Sequence, residues 1–184
     1  MTTIYTIGHS TRSIEEFLRI LRAFGVQQLV DIRTVPRSRR NPQYEQGALE
    51  RFLADCQIGY THLKALGGLR HPRKDSANTG WQNEYFRGYA DYMQSNEFRA
   101  AVEELIALAG ERATAIMCAE AVPWRCHRSL VGDALLVRGI EVQDIMGESS
   151  ARPHRLTPWA RVDGTLITYP GETAGQAAES TKNG

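Results

Sequence analysis

The sequence contains no long hydrophobic run. No apolar stretch approaches the roughly 18 residues that a membrane-spanning helix needs, so we expect no membrane segment. The first residues show no basic stretch followed by an apolar one, and we therefore expect no signal peptide. Cysteine is also scarce, and its odd count of three does not suit a disulfide framework. Reduced thiols without an export signal predict a cytoplasmic protein.

A surplus of charge is missing as well. The chain has 22 Lys and Arg against 21 Asp and Glu, which leaves a net charge of +1. This balance argues against strong non-specific binding of nucleic acid by the chain as a whole. The basic residues are nevertheless clustered, because Arg33, Arg37, Arg39 and Arg40 fall in one predicted loop. We therefore expect a focused site for an anionic small molecule or nucleic acid.

Short apolar runs alternate with amphipathic stretches along the chain. Strands are predicted at 4–7, 29–32, 60–63, 113–117 and 141–146, and helices lie between them. The alternation predicts one α/β domain, residues 1–170, with a mainly parallel sheet flanked by helices on both faces. Asp163-Gly164 between two apolar pairs predicts a C-terminal β-hairpin. The composition of residues 171–184 predicts a disordered tail.

The richest stretch for chemistry is the one from Cys118 to Arg128. It follows the fourth predicted strand and precedes a helical pattern, and loops of this kind hold the ligands in open α/β sheets. We expect Cys126, His127 and Arg128 to form the first turn of that helix. There the unpaired amides and the helix dipole favour an anion or a thiolate.

Other predicted strands also end in polar residues, and we expect these ends to converge on one pocket. The predicted catalytic groups are His9, Glu120 and Cys126. The predicted ligand-binding groups are Ser10, Asp31, Arg33, Arg39, Cys118, His127 and Arg128. The long basic loop of residues 64–83 is expected to cover or border the same pocket.

These motifs together resemble a bacterial family of domains of unknown function, the one numbered 488. The likeness covers roughly residues 1–150 and rests on Tyr5-Thr6-Ile7-Gly8-His9-Ser10, Asp31-Ile32-Arg33 with Pro36 and Ser38-Arg39, Leu66-Gly67-Gly68, Tyr92-Met93, and Cys118-Ala119-Glu120 through Pro123 to Cys126-His127-Arg128. The resemblance implies a cytoplasmic α/β fold and one site built from these loops. It implies no reaction, because the family is itself uncharacterised.

Each thiol also has a structural interpretation. Cys118 fits a small buried residue at the end of a strand, whereas Cys126 at a helix start is the better candidate for a lowered pKa. His127 fits either a base or a helix cap. Direct pairing of Cys126 with His127 is not expected, because adjacent residues of a helix do not face each other. His9 is the more plausible base.

Two familiar cysteine sites fit the spacing poorly. A phosphatase-like loop needs a cradle of backbone amides, but this loop has no glycine, Pro123 removes a donor, and Arg125 comes one residue too late. The spacing of Cys118 and Cys126 exceeds that of usual zinc ligands. A zinc site using His9 or His127 with both thiols stays open, but none is predicted.

The leading hypothesis is an enzyme that acts on a phosphate-bearing small molecule, a nucleotide or a nucleic-acid end. Arg33, Arg39 and Arg128 would hold the anion. Asp31 and Glu120 fit ion-pair partners of the arginines better than acid–base groups. The alternative is a non-catalytic nucleotide or nucleic-acid binding module that uses the same arginines and Trp81. No cofactor and no oligomeric state follow from these residues.

Overall fold

The computed structural model describes residues 2–171, so the predicted tail lies, except for Gly171, outside the described residues. Within that range the chain forms five α-helices and eight strands. The helices are α1 (Ile14–Ala23), α2 (Gln46–Asp55), α3 (Glu84–Tyr92), α4 (Asn96–Glu111) and α5 (Arg128–Leu136). The strands are β1 (Thr3–Gly8), β2 (Gln28–Asp31), β3 (Gly59–His62), β4 (Thr114–Cys118), β5 (Glu141–Gly147), β6 (Ser150–Pro153), β7 (Arg161–Asp163) and β8 (Leu166–Thr168).

Six of the strands form one sheet in the order β3-β2-β4-β1-β5-β6. The first five are parallel, and only β6 runs antiparallel, against β5. The strands β7 and β8 form a separate antiparallel hairpin, in which Gly164 has a positive φ of 63°. The predicted α/β class, parallel sheet and hairpin are confirmed. The strand β6 was not predicted, because its residues Ser150–Pro153 are half-exposed or exposed and carry no apolar alternation.

Apolar residues on both faces of the sheet explain why helices cover both sides. Along β4, Ile116 and Cys118 face one core, whereas Ala115 and Met117 face the other. Helices α1 and α2 pack on the second face, and α3, α4 and α5 pack on the first. Strands that are buried on both faces have continuous runs of apolar residues in their sequence, as is typical of parallel sheets.

Helix boundaries follow local signals. The Ser13 side chain accepts a hydrogen bond from the backbone N–H of Glu16, the third residue of α1, and caps the start of this helix. Gly25 and Gly139 follow α1 and α5 with positive φ angles of 66° and 77°, where glycine is favoured. Within residues 2–171, none of the helices has the length and apolar character that crossing a bilayer would require.

The chain reverses its direction across the sheet beside β4. From β1 it moves through β2 to the edge strand β3 by way of α1 and α2, and then returns over the other face through β4 to β5. The loops after β1 and β4 therefore leave the neighbouring strand ends toward opposite faces. A crevice at such a reversal is the usual ligand site of an open α/β sheet.

Candidate functional site

Two thiols meet under the carboxyl end of β4. The sulfurs of Cys118 and Cys126 are 2.8 Å apart, and the Cys126 S–H donates to Cys118. Both cysteines are free and buried. The Arg128 guanidinium donates from Nη1 to the Cys118 sulfur at 2.9 Å. Cys118 thus receives two hydrogen bonds, one of them from a permanent cation.

The helix does not begin where the sequence predicted. The first residue of α5 is Arg128, His127 is its N-cap, and Cys126 lies before the helix in an extended conformation. Placing Cys126 in the first helical turn was therefore wrong. Its extended backbone also turns its sulfur toward Nδ1 of His127, 3.4 Å away. The expectation that these neighbours would not pair was wrong for the same reason, because it assumed helical geometry.

The two cysteines favour different protonation states, the thiolate for Cys118 and the thiol for Cys126. Although burial alone would raise the pKa of Cys118, the hydrogen bond from Cys126 and the charge of Arg128 lower it to about 7. The hydrogen bond to Cys118, followed by burial, raises the pKa of Cys126 well above its ordinary value. The sequence had assigned the lowered pKa to Cys126. The structure assigns it to Cys118, because that sulfur is the one in contact with the guanidinium.

His127 is held as a neutral imidazole. Burial lowers its pKa to about 4, and its Nε2 lies 3.1 Å from the carbonyl oxygen of Ile32. A neutral ring that donates from Nε2 has an unprotonated Nδ1, and Nδ1 faces the Cys126 sulfur. A side chain at residue 68 would collide with this ring, because a Cβ on Gly68 would lie 2.5 Å from Nδ1. Of the paired glycines of the long loop, Gly68 is thus explained by its close approach to His127, whereas Gly67 lies against Thr34.

The end of β1 is fastened to the thiol loop. The backbone N–H groups of His9 and Ser10 donate to the carbonyls of Cys118 and Ala119, both at 2.9 Å. Ser10 adopts a positive φ of 50°, which is uncommon for a residue with a side chain. A Cβ on Gly8 would lie 1.7 Å from the carbonyl oxygen of Glu120. Only glycine permits the thiol loop to fold this closely over β1.

His9 is buried between the first two strand ends. Burial lowers its pKa, and the nearby Arg33 lowers it further. Its Nδ1 is 2.8 Å from the carbonyl oxygen of Ser10, and Nη1 of Arg33 is 3.5 Å from its Nε2. The ring also stacks on Tyr44 at 4.2 Å between centroids. His9 is thus a neutral group whose accepting nitrogen already faces Arg33.

Asp31 orients Arg33, as the ion-pair interpretation held. The Arg33 guanidinium donates from Nη2 to Asp31 Oδ2 at 2.7 Å and from Nε to Oδ1 at 2.9 Å. The same Nη2 also donates to the carbonyl of Tyr44. Tyr60 donates its hydroxyl to Asp31 Oδ2 at 2.6 Å. The Asp31 carboxylate is fully buried and committed to these partners.

The predicted site residues line two adjoining cavities. The first, which we call the thiol cavity, has a volume of about 480 Å³, and its wall includes Arg33, Cys118, Glu120, Cys126 and His127. Residues Gly68, Leu69 and Asn83 also line it, so the loop of residues 64–83 and its boundary border this cavity.

The second, the arginine cavity, measures about 370 Å³ and contains His9, Ser10 and Arg39. Ala119 and Glu120 belong to both walls. The structure thus brings most of the predicted site residues to one edge of the sheet, but divides them between two neighbouring cavities.

Two predicted site residues have positions that alter their roles. Arg128 is fully buried and lies in neither wall; besides Cys118, its guanidinium donates to the backbone carbonyls of Glu120 and Ala121. Its place is under the thiolate. The Glu120 side chain is exposed and forms no ion pair within residues 2–171, so its carboxylate does not neutralise Arg33, Arg125 or Arg128. Only the backbone carbonyl oxygen of Glu120 accepts a hydrogen bond from Arg128.

No role was predicted for His154, yet it is the centre of a second buried polar cluster. Its two ring nitrogens lie 2.9 Å from Asp133 and 2.9 Å from Asp144. Although burial alone would lower its pKa, the hydrogen bonds to these carboxylates raise it to about 9. Asp133 lies in the helical pattern of α5 and Asp144 in the strand pattern of β5, and both patterns are otherwise apolar. An acidic residue at a buried position was the one available signal of this cluster. The exposed Arg37 and Arg125 also line the thiol cavity, although neither was among the predicted site residues.

Among residues 2–171, no group of three or more His, Cys, Asp or Glu side chains is arranged to hold a metal ion. The sulfurs of Cys118 and Cys126 are close enough to bind one metal ion together. Nδ1 of His127, however, is within hydrogen-bond distance of the Cys126 sulfur only.

Comparison with known families gives one match. Residues 13–135, about two thirds of the 184-residue chain, match the family described as "Domain of unknown function DUF488". The match begins after His9 and Ser10 and contains Arg33 and the whole stretch from Cys118 to Arg128. No curated protein and no solved structure matches the chain.

Proposed function

We propose that this chain, which belongs to the DUF488 family of unknown function as its motifs predicted, is an enzyme whose nucleophile is the Cys118 thiolate. Its substrate is a phosphate-bearing small molecule, nucleotide or nucleic-acid end that enters the thiol cavity. The observation that carries the proposal is the pair of hydrogen bonds from Arg128 and Cys126 to the Cys118 sulfur. A thiolate next to a fixed cation in the wall of a cavity is a usual arrangement of a reactive cysteine.

The proposal makes Cys126 the partner of the nucleophile. Its S–H points at Cys118 and stabilises the thiolate form. His127 takes the position behind it, with the unprotonated Nδ1 3.4 Å from the Cys126 sulfur. The thiol site therefore has a nucleophile, a donor and a neutral base in contact, in that order.

Three arginines supply the anion-binding side of the cavity. Arg33 lines the wall with one edge of its guanidinium fixed by Asp31. Arg37 and Arg125 are exposed and form no ion pair within residues 2–171. Guanidiniums left without a carboxylate at a cavity wall suit a phosphate, which they bind in bidentate fashion.

The phosphate serves as a handle and is not the group that Cys118 attacks. Attack on phosphorus by a cysteine needs a cradle of backbone amides around the sulfur, and the loop after Cys118 contains no glycine and has a proline at position 123. The mouth of the cavity is instead apolar, with Val35, Leu69 and Tyr85 each more than half exposed. A substrate with an apolar part and a phosphate fits both halves of the wall.

The proposed step is a nucleophilic substitution at a carbonyl carbon of the substrate. The Cys118 sulfur forms a bond to that atom, and the leaving group departs with the bonding electron pair and takes up a proton. That proton comes from solvent. Glu120, whose exposed carboxylate lines the cavity, is the side chain placed to take a proton from the water of the second step, whereas His9 faces the arginine cavity. Water then displaces the Cys118 sulfur and regenerates the thiolate.

The first test measures the thiolate itself. Absorbance at 240 nm is followed from pH 5 to pH 10 in the wild type, in Cys118→Ala and in Cys56→Ala, whose cysteine lies at the end of α2. We expect one transition near pH 7 that disappears in Cys118→Ala and persists in Cys56→Ala. A wild type without thiolate absorbance below pH 8.5 would contradict a nucleophilic Cys118.

The second test concerns the substrate class. We expect iodoacetamide to alkylate Cys118 first, and phosphate-bearing compounds to slow that alkylation more than their dephosphorylated counterparts do. The double variant Arg37→Ala, Arg125→Ala should lose this protection, while Arg22→Ala, an exposed arginine of α1, should keep it. Protection of an inert thiol would favour the non-catalytic binding module.

A further inference from the structure

A third cavity contains every tryptophan of the chain. We call it the tryptophan cavity; it measures about 770 Å³, and Trp81, Trp124 and Trp159 all line it. Trp81 and Trp159 pack edge to face at 4.9 Å between centroids. Trp124 is 57% exposed and Trp159 is 43% exposed. Indoles left this open around a concave surface are unusual unless they serve a ligand or partner.

The charges around this cavity are positive. Arg152 and Arg155 line it, and neither forms an ion pair within residues 2–171. Arg152 instead lies over the Trp124 ring, 5.5 Å from its centroid. Among residues 2–171, the only carboxylate in the wall is that of Asp144, which is hydrogen bonded to Thr6 and His154. The two guanidiniums are therefore available for an external anion.

The side chains of Trp81 and Ser129 in this wall have unused hydrogen-bonding capacity. The indole N–H of Trp81 is buried and has no hydrogen-bond partner within residues 2–171. The Ser129 hydroxyl donates to the Cys126 carbonyl, so its lone pairs are available to a donor. Because the Ser129 hydroxyl can accept, a ligand ring that donates a hydrogen bond would match this wall better than a purely apolar ring.

We propose that the tryptophan cavity binds a nucleobase that carries a phosphate. The base stacks on the indoles, and the phosphate meets Arg152 and Arg155. Base-on-indole stacking with arginine at the phosphate is the combination that single-stranded nucleic acid and free nucleotides share. The volume also suits a ligand of nucleotide size.

This site is separate from the thiol site but shares a wall with it. Within the 3₁₀ turn Pro123–Arg125, Pro123 and Trp124 line the tryptophan cavity, whereas Arg125 lines the thiol cavity. The proposal uses no thiol and none of the arginines of the other two cavities. It therefore stands or fails independently of the proposed reaction.

Intrinsic fluorescence reads this site directly, because all three tryptophans line it. Adenosine 5′-monophosphate, adenosine, ribose 5-phosphate and an eight-nucleotide adenylate strand are titrated into the full chain at constant salt. We expect saturable quenching by the monophosphate and the strand, at least tenfold weaker quenching by adenosine, and no quenching by ribose 5-phosphate. A strand that binds more than a hundredfold tighter than the monophosphate identifies nucleic acid as the source, and equal affinities identify free nucleotide.

Variants locate the binding. Arg152→Ala and Arg155→Ala should each weaken binding of the monophosphate about tenfold, as the loss of one charged hydrogen bond predicts. Trp124→Phe should weaken it by a smaller factor, because a smaller ring remains. Cys118→Ser and Arg22→Ala serve as controls and should leave the affinity unchanged.

Two results would overturn the proposal. The first is an absence of quenching by any base-bearing phosphate at millimolar concentration. The second is quenching that survives in both Arg152→Ala and Arg155→Ala but is lost in Arg37→Ala, Arg125→Ala, which would place the ligand in the thiol cavity instead.

Discussion

Two buried clusters each hold one cation against anionic groups, and they differ in how fully their polar atoms are satisfied. In the histidine cluster, His154 lies between two carboxylates, and Asp133 also accepts from the hydroxyls of Thr157 and Tyr169 and from the backbone of Thr157. In the thiol cluster, the partner of Arg128 is a titratable sulfur, and the guanidinium Nε has no hydrogen-bond partner within residues 2–171.

This difference separates structure from chemistry. A charge bracketed by permanent counter-charges is fixed over the whole physiological pH range and can only stabilise the fold. A charge whose counter-ion is a thiol with a pKa of about 7 has a partner that can gain a proton or form a bond. The histidine cluster therefore predicts large effects on stability, and the thiol cluster predicts effects on reactivity.

The largest effect is expected from Asp133→Ala. The change removes the acceptor of Thr157 and Tyr169 and one of the two counter-charges of His154, all in a fully buried position. Breaking a buried ion pair on one side costs about 3–5 kcal/mol, a large part of the stability of an ordinary domain. Urea unfolding at pH 7 measures it. The control Asp163→Ala, in the exposed turn of the hairpin, should change stability by less than about 0.5 kcal/mol, and an equal loss in both variants would contradict the role of the cluster.

The second prediction sets the two clusters against each other through pH. The pKa of His154 is raised from 6.5 to about 9, so its stabilisation is complete below pH 6.5 and is lost as the pH rises through 9. The pKa of Cys118 is lowered from 9.0 to about 7, so its stabilisation is complete above pH 9 and is lost as the pH falls through 7. Each change corresponds to about 3 kcal/mol, and between pH 7 and pH 9 the two have opposite signs.

The wild type should therefore show a nearly flat stability profile between pH 7 and pH 9, whereas two single variants should not. Cys118→Ala should lose stability as the pH rises, and His154→Gln should gain it, each by about 3 kcal/mol. The lowered pKa values of His9 and His127 affect the profile only below pH 6.5. Urea unfolding at four pH values provides the measurement. Profiles of both variants that parallel the wild type would mean that neither pKa is shifted.

The sequence predicted the thiol cluster and missed the histidine cluster for a physical reason. The polar residues of the thiol site follow directly after apolar strands, and parallel strands bring their carboxyl ends to one edge whatever the details of packing. The residues of the histidine cluster come from α5, β5 and the segment after β6. Their meeting depends on how the last third of the chain folds back, and no local pattern encodes that.

Finer errors had a local cause as well. The strands β1 to β5 were predicted to within one residue at each end, because their apolar runs determine them. Exchanging the roles of Cys118 and Cys126 followed from starting α5 two residues early. A 3₁₀ turn at Pro123–Arg125 delays the start of α5. The proline inside the loop was the only sign of this turn in the sequence.

The third prediction measures how much Cys126 contributes to the thiolate. Cys126→Ala removes one of the two donors to the Cys118 sulfur, and one hydrogen bond of this kind is worth about 1–1.5 kcal/mol. The pKa of Cys118 should rise by about one unit, measured by absorbance at 240 nm. Cys126→Ser keeps a donor and should restore most of the shift. If Cys126→Ala leaves the transition near pH 7, Arg128 alone accounts for the lowered pKa.

The smallest effect is expected from Glu120→Gln, and it separates the main chain of this residue from its side chain. The carbonyl oxygen of Glu120 accepts from Arg128 and is retained in any variant, whereas the carboxylate is exposed. The change should alter the free energy of unfolding by less than about 0.5 kcal/mol and leave the Cys118 transition near pH 7. An amide cannot take the proton of the attacking water, so turnover of any substrate that labels Cys118 should fall, by roughly a hundredfold if that proton transfer is rate-limiting. Glu104→Gln, an exposed glutamate of α4, is the matched control for removing one negative charge. A loss of more than 1 kcal/mol of stability in Glu120→Gln alone would show that the carboxylate neutralises the neighbouring arginines and is no free base, and the thiol site would then lack its proton acceptor.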